Sequence, residues 1–260
     1  MELELRKIYG KSGKILDILK EELNISTNKV KTLLDNYFVF VNDKVVYISS
    51  YKISKKDKIE VLVYFPQVKK VKVIFENEDF LILDKPPFLD VYEIQKLFFK
   101  DLFIVHRLDK FTTGLLIFAK SEKVKKEFIE IFKQKRIYKE YRAIVYGKLK
   151  EYKKIKHSLE GKEAITIINP ISYTENYSYL KVEILTGRKH QIRKHLSLIS
   201  HPIVKDVIYG PKIIKDEKIK MLPRFMLHAF KLKFPFKDKI FEFNSPLPKD
   251  FQEALAKLSL

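Results

Sequence analysis

Seven glycines among 260 residues leave this chain few positions where the backbone can turn through positive φ without steric cost. Globular chains usually carry about 7% glycine, so the few present should mark turns that geometry demands. Five of them, Gly114, Gly147, Gly161, Gly187 and Gly210, fall at points that read as turns. Gly114 lies in the most informative segment, residues 106–121, HRLDKFTTGLLIFAKS. An apolar run ends in Arg107, Leu108 and Asp109. A Thr-Thr-Gly turn follows, and then a second apolar run, LLIFA. This order predicts strand, tight turn, strand, with a carboxylate held at the turn. Such an Asp either hydrogen-bonds its own turn backbone or is a reactive group presented by a rigid scaffold. The local pattern leaves both readings open.

Composition narrows the class. The chain is 46% hydrophobic and 33% charged, enough for a substantial core. Its formal charge of +19 and pI near 9.6 favour a polyanionic partner, nucleic acid before an acidic membrane surface, against a bland lysine bias. Fourteen Tyr and twenty Phe offer stacking faces, most of the Phe belonging to the core. The absence of Cys excludes disulfides, thiolate nucleophiles and Cys-ligated zinc. The start, MELELRKIYG, shows no apolar signal region. Apolar runs such as LLIFA fall far short of the roughly 18 residues that span a bilayer. A cytoplasmic protein without a membrane partner is the expectation.

Along the chain, KILDILKEELN places Ile15, Ile18, Leu19 and Leu23 at helical spacing. Ser26 or Thr27 can cap a second helix with Val30, Leu33 and Leu34 as its stripe. Short strands FVFVN, VVYIS and KIEVLVYF follow. This order resembles the alpha-L RNA-binding module shared with ribosomal protein S-four. Lys29 and Lys31 stand on the second helix where that family has arginines, and Asp43 stands where it has a turn Gly. The resemblance implies an RNA-binding domain over residues 1–65, a linker over 66–70, and a larger domain over 71–260. Residues 1–65 hold 12 Lys and Arg against 9 Asp and Glu. Most of the excess charge therefore lies in the larger part, which should drive attraction to phosphates.

In that larger part, VKVIFEN and DFLILDKPP predict a strand pair joined by a turn at Asn77–Asp79. EIQKLF predicts a short helix and FIVHRLD a strand. Ser121 should cap a helix, EKVKKEFIEIFKQKR, that buries Val124, Phe128, Ile131 and Phe132. Many alternating strands with interspersed helices imply an α+β domain with a mixed, largely antiparallel sheet flanked by helices.

The string HRLDKFTTGLLIFAK resembles the active-site motif of the RluA-type RNA pseudouridine synthases, H-R-L-D-x-x-T-S-G-L-L-x-x-A-K, with Thr113 where Ser is usual. KEYRAIVYG, LTGRKHQIRKHL and LHAFKLKFPF resemble further segments of that family. Lys85-Pro86-Pro87-Phe88 lacks the family's turn Gly, and Lys205 stands where Gly usually follows HPI. The resemblance implies that Asp109 is catalytic and that Arg193 is its cationic partner. An ionised carboxylate can attack the ribose or help form a glycal-type intermediate. Burial would neutralise it unless a cation pairs with it, and a guanidinium can do so in a bidentate fork. The plainer role for Arg193 is a phosphate contact from a helix surface. Tyr141 would stack on uracil and serve a proton transfer; otherwise it is a core residue. Arg107, two residues before Asp109 and so on one face of a strand, would assist extrusion of the target uridine; otherwise it forms a surface ion pair. Lys85, Arg188, Lys189 and Lys194 are weaker candidates for phosphate contacts. His228 is expected to be structural.

The six histidines show no HExxH spacing, and an isomerisation needs no cofactor, so neither metal nor cofactor is expected. Large-subunit ribosomal RNA is the first substrate this resemblance implies, transfer RNA the second, with a monomer as the default. Two rivals from other classes are a non-catalytic RNA-binding ribosome-assembly factor on the same fold and an acidic-membrane-associated protein. The joint presence of Asp109, Tyr141 and Arg193 argues against the first. The lack of a separate basic amphipathic anchor argues against the second.

Overall fold

A computed structural model describes residues 3–260. The chain divides into two compact units, one running to Gln67 and taking in Lys205–Arg224, the other comprising Val68–Val204 and Phe225–Leu260. This differs from the sequence expectation, which assigned all of 71–260 to one domain.

The first unit is built from β1 (Glu4–Ile8), β2 (Gly13–Lys14), α1 (Ile15–Glu22), α2 (Thr27–Asp35), β3 (Val39–Val41), β4 (Lys44–Val46), β5 (Lys52–Ile53) and β6 (Ile59–Val63). Ser26 caps α2, accepting from the Lys29 N–H. Ile15, Ile18 and Leu19 of α1 and Val30, Leu33 and Leu34 of α2 are buried, as their spacing predicts. Four strands form a sheet in the order β1-β6-β3-β4. β1, with three charged residues in five, was not legible as a strand; pairing along β6 from Glu4↔Val63 to Ile8↔Ile59 creates it. The 205–224 segment joins this unit through polar anchors. The buried Lys220 ammonium meets Asp43 at 2.6 Å and Glu60 at 2.5 Å. Lys205 donates to the Lys220 carbonyl at 2.9 Å and lies 4.5 Å from the centre of the Phe40 ring.

The second unit contains β7 (Lys72–Glu76), β8 (Phe80–Lys85), α3 (Val91–Phe98), β9 (Phe103–Ile104), β10 (Thr113–Ala119), α4 (Glu122–Lys133), β11 (Tyr138–Tyr146), β12 (Lys153–Lys156), β13 (Ile165–Tyr173), β14 (Tyr177–Ile184), α5 (Gln191–Leu198), β15 (Leu227–Phe236), β16 (Lys239–Asn244) and α6 (Lys249–Lys257). Among the described residues its strands form one ten-stranded sheet along the path β12-β13-β14-β11-β15-β10-β8-β7, with β16 on β15 and β9 on β10. Every pairing is antiparallel except β10 with β15. The expected α+β class with a mixed, largely antiparallel sheet is what forms.

The parallel pair explains Gly114. It lies opposite Ala229 with φ +106, and a Cβ there would sit 2.2 Å from the Ala229 carbonyl oxygen. Only glycine lets the two strands close at this point. Ser121 caps α4 as expected, accepting from Val124 N–H. Val124, Phe128 and Ile131 are buried, whereas Phe132 is half-buried and faces a cavity instead.

One expectation fails locally. FIVHRLD is a strand only over Phe103–Ile104, and residues 105–109 are irregular. The backbone also keeps glycine-like geometry where the family's glycines are missing: Asp43, Phe88 and Lys205 have φ of +66, +72 and +67. Among the described residues no helix is long and apolar enough to cross a membrane.

Candidate active site

Asp109 ends the irregular segment after β9 and begins a turn, its carbonyl accepting from Thr112 N–H at 3.0 Å. The turn therefore uses the Asp109 backbone and leaves its carboxylate for other partners. One carboxylate oxygen, Oδ2, receives an Arg193 guanidinium hydrogen bond at 3.1 Å; the other, Oδ1, is 3.6 Å from His190 Nε2. Arg193 is almost wholly buried on α5, and the Phe225 ring centre lies 4.4 Å from its guanidinium carbon. The buried guanidinium and the carboxylate thus meet in a charge-assisted hydrogen bond that orients Asp109.

Two polar networks hold the flanking elements. Gln191, at the start of α5, accepts from Thr186 Oγ1 at 2.7 Å and from Arg188 N–H at 3.0 Å. Its amide donates to Ile165 O at 3.0 Å and Thr166 Oγ1 at 3.1 Å. His195 completes the anchoring: Nε2 faces the His157 carbonyl at 3.0 Å and must donate, leaving Nδ1 to accept from Thr166 Oγ1 at 2.8 Å. The second network centres on Lys85. Its ammonium donates to the carbonyls of Pro86 and Leu89 at 2.8 Å and of Lys110 at 3.0 Å. Lys85 thus ties the residue after Asp109 to the end of β8. It is 1% exposed, which corrects its expected role as a phosphate contact.

Around Asp109 lies a cavity of about 610 Å³, lined by residues of the second unit that include Arg107, Thr112, Lys139, Tyr141, Arg188 and Arg193. Tyr141 comes from β11, where it pairs with Ala229, the residue opposite Gly114. A register shift between Glu140 and Tyr141 leaves Phe230 as an extra residue on β15 and re-aims the strand there. Burial, reinforced by the Asp109 carboxylate, pushes the Tyr141 phenol up from its ordinary value. It stays protonated at neutral pH. Arg107 is exposed at the cavity rim. The strand-alternation argument for its placement fails, because residues 105–109 are not a strand, yet both it and Asp109 line the cavity.

The remaining expected residues separate. Arg188 and Lys189 are exposed at the rim, Arg188 also donating to Glu163 O at 3.0 Å. Lys194 is not part of the lining and pairs with Glu160 at 2.8 Å. Lys29 and Lys31 are exposed on α2 of the other unit, Lys29 lying 5.5 Å from the centre of the Phe65 ring. His228 is fully buried between Thr113 Oγ1 at 2.8 Å and the Ser245 carbonyl at 3.0 Å, a structural role as expected. Thr113 therefore uses its hydroxyl to hold β10 to β15.

Four polar groups stand out among the lining residues that sequence reasoning missed. His106 accepts from Ile117 N–H at 3.1 Å, and burial together with the nearby Lys139 ammonium lowers it to about 3, so it is neutral. Thr112 is 2% exposed and its hydroxyl finds no partner. His190 adopts φ +55 at the start of α5 and so turns its ring toward Asp109. Lys139 is buried on the same strand as Tyr141. Its place in the segment KEY, two residues before Tyr141, was the available signal. Among the described residues no three His, Asp or Glu side chains gather as metal ligands.

Comparisons with known proteins identify the family. A family model described as RNA pseudouridylate synthase matches residues 69–198. An RNA pseudouridine synthase of Helicobacter pylori is 35% identical over 258 residues, covering 92% of this chain and 99% of that protein. Ribosomal large subunit pseudouridine synthase D of Buchnera aphidicola is 31% identical, covering 95% of each chain. The solved structure of human RNA pseudouridylate synthase domain containing 1 superimposes with a TM-score of 0.60 at 25% identity, covering 72% of this chain and 87% of that one. With Asp109, Tyr141 and Arg193 all inside the matched segment, the chain belongs to the RluA-type RNA pseudouridine synthases, isomerases that act on RNA.

Proposed function

We propose that Asp109 is the catalytic carboxylate of this isomerase and that Arg193 holds it in place. The observation that carries this reading is the 3.1 Å contact between a buried guanidinium and a carboxylate that opens onto the cavity. Asp109 acts on the ribose of the target uridine, as a nucleophile at C1′ or as a base at C2′. Tyr141 lies against the base and donates through its phenol. The target must leave the RNA stack to reach this cavity, and Arg107 at the rim assists that extrusion while Arg188 and Lys189 contact phosphates. Lys29 and Lys31 belong to an RNA-binding module of the alpha-L type that orients the substrate. The relatives named for the large ribosomal subunit support large-subunit ribosomal RNA as the substrate, with a cytoplasmic monomer as the acting form.

The test is a map of pseudouridines in ribosomal and transfer RNA from cells lacking the gene, complemented with wild type or Asp109→Ala. A ribosomal site lost in the deletion should return with wild type only. The variant's rate on that RNA should fall at least about a thousandfold. A site confined to transfer RNA would move the substrate, and a site restored by Asp109→Ala would remove the catalytic role.

A further inference from the structure

Lys139 keeps a cation where burial makes one expensive. It is 6% exposed, and Nζ reaches only the Thr186 carbonyl at 3.5 Å, the outer limit of a hydrogen bond. The Phe132 ring centre is 5.4 Å away. No carboxylate pairs with it among the described residues. An ammonium offers three donors, so this one has donor capacity left over in a cavity wall. Burial and the nearby Arg188 guanidinium lower it to about 8, which leaves it mostly protonated at neutral pH.

Its position suggests what fills that capacity. Lys139 and Tyr141 are two residues apart on β11 and share a face, separated by roughly 7 Å along the strand. The exposed cations at the rim, Arg107, Lys133, Lys135, Arg188 and Lys189, are the ones that backbone phosphates meet first. A buried ammonium beside Tyr141 faces the part of a uridine that enters farthest, its base. In the reaction the N1–C1′ bond breaks with its electron pair going to uracil, whose negative charge spreads to O2 and O4. The ring turns, C5 bonds to C1′, the C5 proton is lost and N1 gains one. Atoms balance with no redox change, and uracil departs as an anion whether Asp109 is nucleophile or base.

We propose that Lys139 is a further catalytic residue, donating to an exocyclic oxygen of the extruded uracil and stabilising the negative charge that collects there as the N1–C1′ bond breaks. The inference rests on reading the cavity around Asp109 as the synthase centre. A contact that strengthens as a neutral carbonyl becomes anionic acts on the transition state, whereas a phosphate carries its charge throughout and would be felt in binding.

That difference sets the experiment, run with the full chain on the RNA identified by pseudouridine mapping. For Lys139→Met, kcat should fall about a hundredfold, with KM and the salt dependence of binding unchanged. Lys139→Arg should recover part of kcat. The wild-type kcat/KM should decline above about pH 8 as Lys139 loses its proton, and Lys139→Arg should lack that decline. Of the other groups lining the cavity, His106 is already neutral and the Tyr141 phenol is raised, while Arg188 faces Lys139 and Lys133 and Lys135 are exposed. An unchanged kcat, or a raised KM with a shallower salt slope, overturns the proposal, the latter by making Lys139 a phosphate contact. If Lys139→Met does not fold, the pH profile of Lys139→Arg decides alone. Asp109→Ala is measured alongside. Activity retained there sinks the site itself, while its loss with wild-type rates in both Lys139 variants sinks only the role of Lys139.

Discussion

Lys85 and Lys139 are both buried in the catalytic unit, 1% and 6% exposed, yet they dispose of their ammonium groups in opposite ways. Lys85 donates to three carbonyls at 2.8–3.0 Å, one of them on the residue after Asp109. Lys139 has a single long contact and borders the cavity. A buried cation with its donors filled is part of the scaffold; one with donors to spare is held ready for something that arrives later. Burial alone does not tell these roles apart, but donor satisfaction does.

The contrast can be broken by experiment. Lys85→Met removes a donor from three carbonyls, of which that of Lys110 keeps the Phe88 N–H, and should lower the unfolding free energy by about 2 kcal/mol or more, read in denaturant melts. It should lower activity as well, because the Asp109 turn loses its tie. Lys139→Met should do the reverse to stability. Lowering an ammonium from 10.5 to about 8 corresponds to a penalty on the order of 3 kcal/mol, so the variant should unfold at equal or higher denaturant while kcat drops. Equal destabilisation in both variants would erase the distinction.

A smaller effect sharpens the same point through pH. The folded value near 8 lies below the unfolded 10.5, so between these limits the unfolded chain binds more protons. Wild-type stability should gain from deprotonation of Lys139 as pH rises from about 8 to 10.5, and Lys139→Met should show a shallower slope there. Smallest of all is Lys194→Ala. Its partner Glu160 is exposed, so the denaturation midpoint should barely move, with kcat unaltered.

Legibility differed from element to element. Helix α4 was readable because its cap, its stripe and its length agree, and no neighbour overrides them. Residues 103–109 were misread because FIVHRLD has strand composition throughout. The chain instead leaves the sheet after Ile104, and His106 accepts from Ile117 N–H as a side chain, where a strand would have used its backbone. The missing glycines gave no sign of the backbone that forms there. Phe88 adopts φ +72 at a cost of roughly 1–2 kcal/mol, offset by burying its ring against Phe111 at 5.7 Å between centres. At Gly114 no such exchange is available, since the obstacle is a backbone carbonyl of the partner strand that cannot step aside. The segment 205–224 gave no sign of its unit because its anchors, Lys205 and Lys220, look like any other surface lysines in a chain with so many.

The amino-acid sequence by itself determined which chemical groups this enzyme possesses. Asp109, Tyr141 and Arg193 stand in motifs whose residue types answer to the reaction, and turn and cap signals place most of the elements that carry them. Only the tertiary structure decided what state those groups are in. Whether a lysine is scaffold or reagent, and whether a histidine or phenol keeps its proton, depends on desolvation and on the donors and acceptors within reach. Those come from strands and loops far apart in the chain, and they exist only once the sheet has closed.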